Sequence, residues 1–130
     1  MKGQIERLDV NLQLVITSED IDDIMACALE GGIDYWCSKV RVDGEYKGEY
    51  ASEQISGGGR LWLHDRVEKQ EWLLTKEKLI QGIRMYIEQP RHAKILEAIN
   101  HELCIDCCAI DAEVADCIVQ YALFSDIMYG

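Results

Sequence analysis

The sequence predicts an α+β fold: an antiparallel sheet of about four to five strands with three to four helices packed on it. Three observations carry this. Apolar side chains alternate with a period of two in several segments of the first half, and recur every three to four residues along most of the second. Turn signals rich in glycine and aspartate separate the segments. The resulting order, β-α-β-β-β-β-α-α-α, gathers strands ahead of helices, the pattern of a sheet covered by helices. At 130 residues the chain suits a single domain over residues 1–130, and such a chain removes roughly two-thirds of its unfolded surface from water on folding. No internal repeat or low-complexity tract interrupts it.

Val10, Leu12, Leu14 and Ile16 alternate with Asn11, Gln13 and Val15, which reads as a half-buried strand. Thr17 or Ser18 then caps a helix whose first turns carry Glu19, Asp20, Asp22 and Asp23, acids placed at the positive end of the helix dipole. Ile21, Ile24, Met25, Ala28 and Leu29 fall on one face of it, and Gly31-Gly32 ends it. Residues 33–42 read as a second strand with Trp36, Val40 and Val42 on one face, and Asp43-Gly44 as a tight turn into a return strand over 45–50. Residues 51–55 form a helical turn, and Ser56-Gly57-Gly58-Gly59 a loop. Residues 60–64 and 71–74 make a hairpin closed by the polar stretch 65–70. Thr75 caps a helix striped by Leu79, Ile80, Ile83 and Ile87, which Pro90 stops. Gly82 in its middle costs on the order of 1 kcal/mol against alanine and is a place for another element to come close. Ile95, Leu96, Ile99 and Leu103 fit a further helix; residues 104–110 show no period. Asp111 caps the last helix, with Val114, Ala115, Ile118, Val119, Ala122 and Leu123 on its apolar side. Ile127 and Met128 leave the C-terminus apolar, either packed into the core or docked, with the last helix, on another subunit.

Twenty-four acidic against thirteen basic residues give a formal charge of −11, which disfavours direct contact with a nucleic-acid backbone. No apolar run reaches the roughly 18 residues that span a bilayer, and the N-terminal residues lack the apolar stretch of a secretory signal. The expectation is a cytoplasmic protein that makes no membrane contact and keeps its six cysteines reduced.

Four constellations are candidates for chemistry. His101, Cys104, Cys107 and Cys108 combine thiol and imidazole ligands at short spacing, the donor set zinc prefers, although a second ligand pair is missing. Gly57, Gly58 and Gly59 followed by Arg60 offer amides and a guanidinium to an anion. They run from loop into strand, and lack the helix dipole that phosphate loops use. Trp36, Tyr50, Trp62 and Gln54 sit around that loop, and aromatic surface suits stacking or anchoring. If Leu61 and Leu63 face the core, Arg60, Trp62 and His64 form an outward stripe. No nucleophile lies in a recognisable catalytic context, so the chain reads as a non-enzyme without a cofactor.

The segments Ile16-Thr17-Ser18-Glu19-Asp20-Ile21-Asp22-Asp23-Ile24, Ala28-Leu29-Glu30-Gly31-Gly32-Ile33-Asp34-Tyr35-Trp36-Cys37 and Glu49-Tyr50-Ala51-Ser52-Glu53-Gln54-Ile55-Ser56-Gly57-Gly58-Gly59 resemble a group of short proteins. So does Cys117-Ile118-Val119-Gln120-Tyr121-Ala122-Leu123-Phe124. That group occurs in phages and prophages of Clostridia and related Firmicutes. The resemblance covers most of the chain but not residues 104–110, and it brings a context rather than an activity. It implies an accessory protein, in the cytoplasm of a bacterial host, that antagonises host defence by binding an effector, as anti-CRISPR proteins do. Two alternatives stand beside it. One is an oligomeric sponge that holds a cyclic-nucleotide signal through the glycine loop, Arg60 and the tryptophans. The other is a zinc or redox module built on His101, Cys104, Cys107 and Cys108.

Overall fold

The structure, a computed structural model, describes residues 3–89 and 95–130. Strand pairing begins late: only Leu14–Val15 (β1) pair, while residues 3–13 carry no regular secondary structure. Helix α1, Ser18–Cys27, starts where the sequence calls for it. Thr17 Oγ1 accepts from the Asp20 amide at 3.1 Å, and the Thr17 amide donates to Asp20 Oδ2 at 2.9 Å, so two orphan donors are satisfied reciprocally. Ile21, Ile24 and Met25 are its buried face. The helix widens into a π-type turn over Ala28–Gly32. Gly32 ends it against the start of the last helix, where a Cβ would stand 2.7 Å from the Ala112 carbonyl oxygen.

The second strand, β2, covers Cys37–Asp43. Residues 33–36, expected as its beginning, form a turn instead, with the Cys37 amide bonded to the Ile33 carbonyl at 2.8 Å. The return strand expected over 45–50 is absent. The Lys47 amide donates to Gln54 Oε1, and the Glu49 and Tyr50 amides donate to Glu53 Oε1, each at 2.9 Å. Side chains thus take backbone donors that a sheet ladder would need. The expected helical turn is a short 3₁₀ segment, Ala51–Glu53. Strands β3, Arg60–Asp65, and β4, Glu71–Leu74, form the expected hairpin, and β2 pairs antiparallel with β3.

Helix α2, Lys76–Glu88, is capped by Thr75, whose Oγ1 accepts from the Lys78 amide at 3.2 Å. The stop assigned to Pro90 lies outside the described residues. The helix expected through Ile95, Leu96, Ile99 and Leu103 is a hairpin: β5 is Leu96–Ile99 and β6 is Glu102–Ile105. Asn100 and His101 join them with φ of 51° and 68°. Two successive left-handed residues make the turn that suits a two-residue hairpin, and they cannot lie inside a helix. A 3₁₀ turn, Cys107–Ala109, leads to helix α3, Ala112–Phe124, capped by Asp111, whose Oδ1 accepts from the Val114 amide at 2.8 Å.

The protein is α+β, but its strands form two three-stranded sheets in place of one sheet of four to five. One has the order β2-β3-β4 and is antiparallel throughout. The other has the order β1-β6-β5, with β1 parallel to β6. The split follows from the β5–β6 hairpin, which gives β1 a partner far along the chain and separates it from β2. Helices α2 and α3 pack at close range through Gly82, where a Cβ would approach Ala122 Cβ to 2.9 Å. Leu61, Leu63, Leu74, Leu79, Ile83 and Ile118 are wholly buried between the helices and the first sheet. Among the described residues no helix is long and apolar enough to cross a membrane.

The C-terminus returns to the core. Gln120, itself buried, accepts the Met128 and Tyr129 amides on Oε1 at 2.8 Å. Tyr129 stacks flat on Trp36 at a centroid distance of 5.1 Å and donates its hydroxyl to Asp65. Met128 stays exposed.

Candidate binding face

The strand period of β3 turns Leu61, Leu63 and Asp65 inward and Arg60, Trp62 and His64 outward, as the alternation predicts. Register then surrounds this stripe. Asp43, Arg41 and Lys39 of β2 lie opposite Arg60, Trp62 and His64, while Leu73 and Glu71 of β4 lie opposite Trp62 and His64. Trp62 is the half-exposed centre. Its indole N–H donates to Asp43 Oδ1 at 3.0 Å, and the Arg41 guanidinium lies 5.7 Å from its ring centroid. Asp43 Oδ2 also holds Arg60 at 2.6 Å, and Arg41 reaches both oxygens of Glu71 at 3.1 and 3.3 Å. Each exposed ion pair contributes about 0.2–1 kcal/mol. Together they fix the ring's orientation while leaving one side to solvent.

Charge sets this region apart. Residues 36–78 carry eight basic and eight acidic side chains, so the whole −11 resides in the rest of the chain. Several of the remaining acids gather about three cysteines. Asp20, Glu97 and Glu102 surround Cys104, Asp23 and Asp106 lie by Cys107, and Asp23, Glu30 and Asp111 by Cys27. Burial and then these carboxylates push the Cys104 and Cys27 thiols up. For Cys107 the adjacent Cys108 is the main cause of the upward shift.

The remaining sequence candidates divide. Tyr50, Gly57 and Gly58 are exposed on the loop that joins β2 to β3. Trp36, Gln54 and Gly59 are buried and leave the face. Trp36 donates to Asp116 Oδ1 at 2.7 Å inside the core. Gln54 organises the loop, bonding the Lys47 amide and the carbonyl of Glu45. Gly59 packs against that side chain so closely that a Cβ would collide with it. The glycine amides do not form an anion cradle: those of Gly57, Gly58 and Gly59 donate to the carbonyls of Glu53, Ile55 and Gln54 at 3.2, 3.0 and 2.8 Å. Arg60 already holds Asp43. His101 sits at the tip of the β5–β6 turn, away from a common centre with Cys104, Cys107 and Cys108. Among the described residues no group of three or more His, Cys, Asp or Glu side chains is placed to hold a metal ion.

Sequence reasoning missed Arg41, Lys39 and Asp43, although setting Val40 and Val42 on one face of the strand already grouped these three on the other. It also missed the clamp of Asp116 and Gln120 around Trp36 and Tyr35. Tyr35 donates to Asp116 Oδ2 at 2.5 Å, and Gln120 donates to Asp116 Oδ1 at 2.9 Å. Burial, and then this carboxylate, push the Tyr35 phenol up to about 12. Two polar residues in the middle of an apolar helix were the available signal. Comparisons with protein-family models, curated proteins and solved structures find no match.

Proposed function

We propose that this chain is a phage-type accessory protein that acts by binding a host defence protein and performs no catalysis. The observation that carries the reading is Trp62, an aromatic anchor held in place by Arg41 and Asp43 at the centre of a charge-balanced region of a strongly acidic chain. Tryptophan and arginine are the residues most often found to dominate protein contacts, and a preset rotamer lowers the entropy lost on binding. The acidic remainder steers the protein towards a basic partner and repels nucleic acid, so association slows as salt rises. A nucleotide sponge is less well supported, because the glycine amides and Arg60 already have internal partners.

The test is capture of the effector from host lysate by immobilised protein, followed by affinity measurement with the purified partner. Wild type binds. Trp62→Ala binds at least about 30-fold more weakly, the loss typical of an anchor, while Glu30→Gln is unaffected. A partner held equally by Trp62→Ala, or no partner at all, overturns the reading.

A further inference from the structure

Residues 3–13 precede β1 without regular secondary structure, and their large apolar side chains are exposed. Ile5, Leu8, Val10 and Leu12 are 71, 86, 58 and 69% exposed. Leu8, Val10 and Leu12 share the strand parity of Leu14. Leu14 helps line an open groove of about 520 Å³ whose other walls are Ile80, Ile83 and Ile87 of α2 with Leu96 and Leu103 of the second sheet. Among the described residues β1 pairs on one side only, with β6, which leaves its other edge without a strand. One short segment thus combines an unpaired edge, an exposed apolar row and continuity with an apolar groove. Open edges of this kind recruit strands.

We infer that the arm pairs two copies of this chain, each arm lying antiparallel to the other and extending the β1-β6-β5 sheet across a two-fold axis. The occupant follows from the arm's self-complementarity. A register centred on Val10 sets Leu8 opposite Leu12 of the partner subunit, and Val10 opposite itself, so the middle of one face is three apolar pairs in a row, with Glu6 opposite Leu14 at each end. The other face sets Arg7 opposite Gln13 and Asp9 opposite Asn11, with no like charges directly opposed. The apolar face continues that of Leu14, over the groove. The groove's rim offers both signs of charge, Arg84 and Glu88, to an arm that also carries both in Arg7 and Asp9. The overall charge of −11 per copy opposes pairing, so the dimer strengthens with salt. The host complex of the preceding section weakens with salt, and the two contacts use different faces, so either can fail alone.

Sedimentation equilibrium over about 1–100 μM, the range of ordinary subunit affinities, at low and high salt, tests this with the whole chain. Twice the monomer mass is expected for wild type, with a tighter dimer at high salt. Leu8→Asp/Val10→Asp is expected to be monomeric with unchanged circular dichroism and Tm, because both side chains are exposed within one copy. Ile80→Asp at the exposed groove rim is expected to weaken the dimer. A wild-type monomer at every concentration overturns the inference, as does a dimer that survives the double substitution. Protection of the arm amides from hydrogen exchange in a monomer would place the arm on its own groove and overturns it equally.

Discussion

Trp36 donates its indole N–H to Asp116 at 2.7 Å within the core, whereas Trp62 donates its own to Asp43 at 3.0 Å on the outer face of the first sheet. The pairing is the same and its consequences differ. Inside, the carboxylate must be fully satisfied, and Asp116 accepts from Trp36, Tyr35 and Gln120 together. Three more rings, Trp72, Phe124 and Tyr129, lie within 6.0 Å of Trp36. Outside, Asp43 shares itself between Trp62 and Arg60 and keeps part of its side chain exposed. An indole–carboxylate pair therefore serves folding in one place and presents a surface in the other, and burial decides which.

This difference can be broken by experiment. Replacing Trp36 with alanine is expected to cost about 3–5 kcal/mol, since it opens a cavity and leaves Asp116 short of a donor. Trp62→Ala should cost under about 1 kcal/mol, the scale of an exposed cation–π contact and ion pairs. Urea unfolding of both variants checks this, and equal losses would erase the distinction between the two sites. Next in size is deletion of residues 128–130. It removes the stack on Trp36 and the two amides that Gln120 Oε1 accepts, an expected loss of about 1–3 kcal/mol. If that truncation leaves the urea midpoint unmoved, the C-terminus is not part of the inner cluster.

The smallest effect is a pH dependence. The Tyr35 phenol is raised in the folded chain from 10.0 to about 12, so folding favours its protonated form. The associated stability is complete below about pH 10 and is lost as pH rises through about 12. Tyr35→Phe should flatten the fall in stability over that window, and absorbance titration of the phenols should show one fewer late-titrating group. Tyr35 is half exposed, so solvent screening keeps the effect modest.

The helix caps Thr17, Thr75 and Asp111 were legible because capping is local: a hydroxyl or carboxylate reaches an amide three residues away. The outward direction of Arg60, Trp62 and His64 was legible for a similar reason, since alternation needs only the chain's own period. The β5–β6 hairpin was not. The apolar spacing at 95, 96, 99 and 103 satisfies a helix as well as a strand pair. The choice turned on Asn100 and His101 adopting left-handed conformations, and His101 in such a turn gives no sequence signal of the kind Asn-Gly does. The glycine loop misled because glycine reports backbone freedom and says nothing of where the amides point.

Composition, capping and periodicity alone determined that this is an acidic α+β chain with a hairpin whose outer face carries Arg60, Trp62 and His64. Tertiary structure decided the division into two sheets, the burial of Trp36, Gln54 and Gly59, and the clamp on Trp62. It also left the arm's edge unpaired. The physical reason is range. Faces and caps are set within a few residues, whereas burial and partnership depend on groups such as Asp116, brought to Trp36 across 80 positions of chain.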